Sequence, residues 1–179
     1  MLHESALSRR FEDALGHDIL SPGNRGRGPT DNLQDDPVKT PGHLWAVGVI
    51  SLLWNSFGCV DYAMSKLDPL GYMNSVGMTQ AEVAYMLAMP AWLSAFWALG
   101  VWGSLAGSLL LLLRSRHAVT AFAVSLVGLA VSQLSHFLDS TMPASMNSGA
   151  MMAMNFLIWG SLVFFLWYAS RMKAAGVLR

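Results

Sequence analysis

Four apolar stretches dominate the chain, at about residues 44–64, 91–113, 118–138 and 151–168. A helix rising 1.5 Å per residue needs roughly 20 residues to cross a hydrocarbon core of about 30 Å. Lipid offers no partner to backbone N–H and C=O groups, so a spanning segment satisfies them within itself. The expected fold class is therefore all-α: an integral membrane four-helix bundle over residues 43–179, behind a polar arm over residues 1–42.

Charge follows the same division. Only 12% of residues are charged, where a soluble domain carries about 25%. Residues 1–42 hold twelve of the 22 formal charges, and the other 137 residues hold ten. The arm mixes seven acids with five bases and the net charge is zero, which gives nucleic acid no basic surface. A single cysteine, Cys59, excludes an internal disulfide and a cysteine-based zinc site.

Within the arm, Leu7, Phe11, Ala14 and Leu15 recur at helical spacing, so a short amphipathic helix is expected over residues 1–15. Ser8-Arg9-Arg10-Phe11 resembles a twin-arginine signal, but Glu12 and Asp13 stand where its apolar region belongs, so no cleaved leader is expected. Residues 16–42 are rich in Gly and Pro and read as a linker. After the first span, Pro69, Gly71 and Gly77 predict a loop over residues 65–78. Thr79-Gln80-Ala81-Glu82 predicts a capping box, and a kink is expected where Pro90 interrupts the helix that starts there.

Orientation follows from Lys and Arg, which stay on the cytoplasmic side. The arm has five, the turn at Arg114–His117 two and the tail three. The loop after the first span has only Lys66, and the loop at residues 139–149 none. Both termini of this multi-pass body are therefore expected to face the cytoplasm.

Helices in lipid associate through close packing and interhelical hydrogen bonds. Gly100, Gly103 and Gly107 line one span and Ser125, Gly128 and Ser132 the next, joined by a tight turn. Packing within that hairpin is the preferred reading over a dimer seam. In the first span Asn55 and Gly58 lie on a polar stripe expected to face the bundle, since a bare amide facing lipid is costly. Asp61, Tyr62, Tyr85, His136 and Asp139 all fall toward the outer surface and form the candidate polar site. It is read first as a solvated helix end that holds the bundle, and second as a cation or proton site.

Ten of the twelve methionines fall in the outer half, including Met142, Met146, Met151, Met152 and Met154. Thioethers are Cu(I) ligands, but adaptable apolar filling is the preferred reading, and any metal is left unassigned. Seven tryptophans are read as interfacial anchors and packing, ahead of a sugar-stacking surface. No nucleophile–base pair, phosphate loop or paired acids occur, so no catalytic residue, enzyme activity or cofactor is expected.

The blocks HLWAVGVISLLWNSFGCVDYAMSK (43–66), PAWLSAFWALGVWGSLAGSLLLLLRSRHAVTAF (90–122) and LWYASRMKAAGVLR (166–179) resemble a family of small four-span proteobacterial inner-membrane proteins of unknown function, some labelled sugar transporters. The arm is longer than is usual there, which implies an added cytoplasmic partner. Small multidrug exporters also have four spans, but their acid lies well inside the first one. Here Asp61 is near its outer end and Asn55 is central, which argues against their mechanism. The expected function is a non-catalytic accessory or scaffold subunit, packing against itself or a larger membrane complex and contacting lipid. The alternative is a small dimeric transporter of a polar solute or cation.

Overall fold

The computed structural model describes residues 40–179. The amphipathic helix expected over residues 1–15, and the linker as far as residue 39, lie outside them. Six α-helices follow in order: α1 Gly42–Leu67, α2 Pro69–Ser75, α3 Gln80–Leu87, α4 Ala91–Leu112, α5 His117–Leu138 and α6 Gly149–Ala174, with a 3-10 turn at Ala144–Asn147. No strand occurs among the described residues. α1, α4, α5 and α6 are each long and apolar enough to cross a membrane, so the chain is a multi-pass, all-α membrane bundle.

The breaks between helices have local causes. Asp68 ends α1, and its side chain then accepts from Gly71 N–H at the start of α2. Pro69 suits the first position of α2, where its missing N–H has no helical partner to lose. Residues 65–78, expected as a loop, therefore hold the end of α1 and a two-turn helix. The capping box forms: Thr79 N–H donates to Glu82 Oε2 at 2.7 Å, and Glu82 N–H donates to Thr79 Oγ1 at 3.4 Å.

Pro90 produces a full break where a kink was expected. It disfavours helical geometry at Met89 and supplies no N–H of its own, so α3 stops at Leu87. Pro90 itself is extended, at φ −64° and ψ 147°, and α4 starts afresh at Ala91.

Three helices stop in the same way. In each, the residue after the cap takes a left-handed conformation and two N–H groups fold back onto the last turn. Gly77 (φ 80°) ends α2 and Gly176 (φ 70°) ends α6, but Arg114 (φ 57°) ends α4. After Gly176 the chain turns back onto the α4–α5 turn. Arg179 N–H donates to Arg114 O at 2.8 Å, Arg116 N–H donates to Arg179 O at 2.9 Å, and Arg114 Nε donates to Val177 O at 3.4 Å.

The end of the bundle that holds the start of α1, the α4–α5 turn and the end of α6 is here the near end. Its core joins Leu44, Leu111, Phe122, Phe165 and Tyr168 to Val177 and Leu178 from the returning tail. His43 Nδ1 lies 2.5 Å from Tyr168 Oη and ties α1 to α6. All the buried residues of α6 lie in its second half, from Leu162 to Ala169.

Candidate functional site

The α4–α5 hairpin is the tightest contact. A Cβ on Gly128 would lie 2.7 Å from both Gly100 N and Phe96 O, which are backbone atoms and cannot step aside. One on Gly103 would meet Ser125 Cβ at 3.1 Å, and one on Gly107 would meet the Phe122 ring at 2.8 Å. One on Gly100 would approach Leu129 N at an ordinary 3.5 Å. Ser125 Oγ–H donates to Gly100 O across the pair, whereas Ser132 Oγ–H donates to Gly128 O in its own helix. These small residues thus face one another within one chain.

α1 joins α4 through a buried polar network. Asn55 Nδ2 donates to Ser108 Oγ at 2.8 Å, to Ser51 Oγ at 3.3 Å and to Ser104 O at 3.4 Å. Ser104 O can only accept, which identifies the amide nitrogen. Ser108 Oγ–H donates to Ser104 O at 2.9 Å, and Ser51 Oγ–H then donates to Ser108 Oγ at 2.6 Å. That arrangement gives every donor a partner. The amide oxygen, Oδ1, has none among the described residues, although Asn55 is only 9% exposed. One turn on, Cys59 Sγ–H donates to Val101 O.

At the opposite, far end, the candidate polar residues divide into separate groups. Asp61 Oδ1 accepts from Tyr72 Oη–H at 2.7 Å. That bond and the carboxylate's charge push the Tyr72 hydroxyl up to about 12. Tyr62 packs edge-on against Trp97, and Lys66 Nζ lies 5.6 Å from the Trp97 ring and donates to Ser94. Tyr85 forms the third group: its hydroxyl is 3.0 Å from both His136 Nδ1 and Asp139 Oδ2. Asp139 also accepts from the Thr141 hydroxyl and N–H, which holds its carboxyl below the usual range and keeps it ionised. Tyr85 must therefore donate to Asp139 and accept from His136, so Nδ1 of His136 carries a proton. The structure brings Tyr85, His136 and Asp139 together and places Asp61 with Tyr72.

A further link at this end was not legible in sequence. Glu82 Oε1 accepts from Ser145 Oγ–H at 2.6 Å, which fastens α3 to the 3-10 turn 63 positions away. This bond, with the capping bonds to Thr79, holds the Glu82 carboxyl below its ordinary value. Among the described residues, no three His, Cys, Asp or Glu side chains group as a metal site. Met142 and Met146 lie in the loop before α6, while Met151 and Met154 sit on its first turns.

Because α6 packs through its second half, its first half leaves a cavity of about 470 Å³ against α1, α4 and α5. Apolar walls come from Leu129, Ile158 and Leu162, and aromatic ones from Trp54 and Trp97. Asn55, Asp61 and four serines supply polar atoms. Exposed Phe57, Met151 and Met154 mark its rim. Comparison of the chain with family models, with curated proteins and with solved structures finds no match.

Proposed function

We propose that this chain is a non-catalytic accessory subunit of a bacterial inner membrane, both termini cytoplasmic, that packs against itself or a larger membrane complex through α6. One observation carries the reading. Of the most apolar 18 residues of α6, 11% are buried, against 22–28% in the other three spans. In its first half Phe156 is 76% exposed and Leu157 53% exposed. The distribution of Lys and Arg supports the orientation. The three sequence blocks support membership of the small four-span proteobacterial family.

The test is a photo-crosslinking residue at Phe156, compared with one at Leu53 on the exposed face of α1. The expected outcome is one discrete protein adduct at Phe156, either a second copy or a partner of fixed stoichiometry, and none at Leu53. Lipid adducts alone at both positions would overturn the proposal. Transport of a polar solute or cation is the second reading, and the cavity is the observation in its favour. Reconstituted vesicles that show no solute movement at any gradient would exclude it.

A further inference from the structure

We infer that the cavity between α6 and the other three spans is a binding site for a small protonated amine with a compact apolar body. Its volume of about 470 Å³ falls within the roughly 300–1,000 Å³ typical of small-molecule pockets. The proposal concerns binding alone, so it stands apart from the packing role of α6 and needs no transport.

The ligand class follows from which polar atoms remain available. The lining serines have their hydroxyl protons engaged by backbone carbonyls: Ser104 with Val101, Ser125 with Gly100, Ser132 with Gly128 and Ser161 with Ile158. The Asn55 amide protons are engaged by the serine network, and among the described residues its oxygen has no partner, in a residue only 9% exposed. Asp61 uses Oδ1 for Tyr72, and among the described residues Oδ2 has no partner. The lining hydroxyl, amide and carboxylate groups therefore have acceptor capacity left and no free proton to offer, and acceptors in an apolar wall call for a donor.

Charge narrows the class further. Among the described residues, Asp61 is the one ionisable side chain in the lining. Lys66, the nearest base on α1, is engaged by Ser94 and lies over the Tyr62 and Trp97 rings. A carboxylate in a lining otherwise without charge suits an ammonium, which gains a charge-assisted hydrogen bond. Leu129, Ile158 and Leu162 would take the apolar body.

Titration calorimetry on the full chain in nanodiscs tests this, with phenethylammonium as the probe. Two analogues each remove one feature: phenethyltrimethylammonium keeps the charge without an N–H, and 2-phenylethanol keeps a donor without the charge. Saturable binding of the amine, with both analogues weaker by about tenfold or more, is expected. Asp61→Asn should weaken the amine to a similar degree. Tyr72→Phe should not weaken it, because the carboxylate stays and loses a competitor. Gly58→Leu fills the cavity from a position where an added Cβ meets only Val101 at 3.8 Å, and should abolish binding in a folded protein. Equal affinity for either analogue overturns the inference, as does undiminished binding by Gly58→Leu. Should Asp61→Asn fail to fold, the analogues and Gly58→Leu still decide.

Discussion

Gly128 and Asn55 hold the bundle by different physics, and their magnitudes rank them. An added methyl at Gly128 would collide with backbone, so Gly128→Ala must push α4 and α5 apart, with a cost of about 1–3 kcal/mol as in other overpacked cores. Gly160 meets nothing within 4 Å of an added Cβ. Gly160→Ala should therefore be neutral or stabilise by up to about 1 kcal/mol through helix propensity. Unfolding in mixed micelles separates the two, and equal effects would contradict the close-approach argument. Interhelical hydrogen bonds in membranes average about 0.6 kcal/mol and reach about 1.7. Asn55→Ala should accordingly cost about 1–2 kcal/mol, less than the Gly128 collision at its upper end. Asn55 was legible in sequence as an amide in mid-span. Its partners Ser104 and Ser108 were visible only as small residues, because spacing within α4 cannot say which face meets α1.

Helix ends carry the next set of decisions. Glycine is the usual residue for a left-handed stop, and Gly77 and Gly176 follow that rule. Arg114 does not. It bears the left-handed conformation at a cost of about 1–2 kcal/mol and gains a bond from Nε to Val177 O. Arg114→Ala loses the bond and keeps the strain, whereas Arg114→Gly loses both. The alanine variant should thus be the less stable by about 1–2 kcal/mol in the same unfolding assay. If the glycine variant is equal or worse, the strain at this turn has been overstated. The tight turn itself was legible from the charges at Arg114–His117. The returning tail was not, since Val177 and Leu178 read as two ordinary apolar residues until Gly176 turns them onto Leu111 and Phe122.

For the whole molecule, the near end is closed by a packed core and the hydrogen bonds of the returning tail, and the far end by hydrogen bonds to carboxylates. Carboxylates in those bonds make the far end acid-sensitive. Folding lowers the Glu82 carboxyl below its ordinary 4.5, so its contribution is complete above that value and is lost as pH falls through the folded value. Asp139 acts in the same sense. Glu82→Gln removes the titrating group, so the stability gap between the natural protein and this variant should shrink from about pH 7 to about pH 3.5. Thermal unfolding at the two pH values checks it, and a constant gap would mean that the Glu82–Ser145 link contributes nothing through its charge.

Sequence alone determined the class of the molecule. Four apolar runs of spanning length leave the backbone no choice but helices, and Pro69 and Gly176 mark where two of them stop. The capping box at Thr79–Glu82 and the small faces of α4 and α5 were readable for a related reason: each depends on residues close in the chain or joined by one tight turn. Tertiary structure decided which polar residues meet. Asp61 pairs with Tyr72 across the Asp68–Pro69 break, His136 with Tyr85, and Glu82 with Ser145, because helix periodicity carries no phase through a break. The cavity lies at the same limit. It exists because α6 packs through its second half, and the angle between two helices depends on the side chains of both.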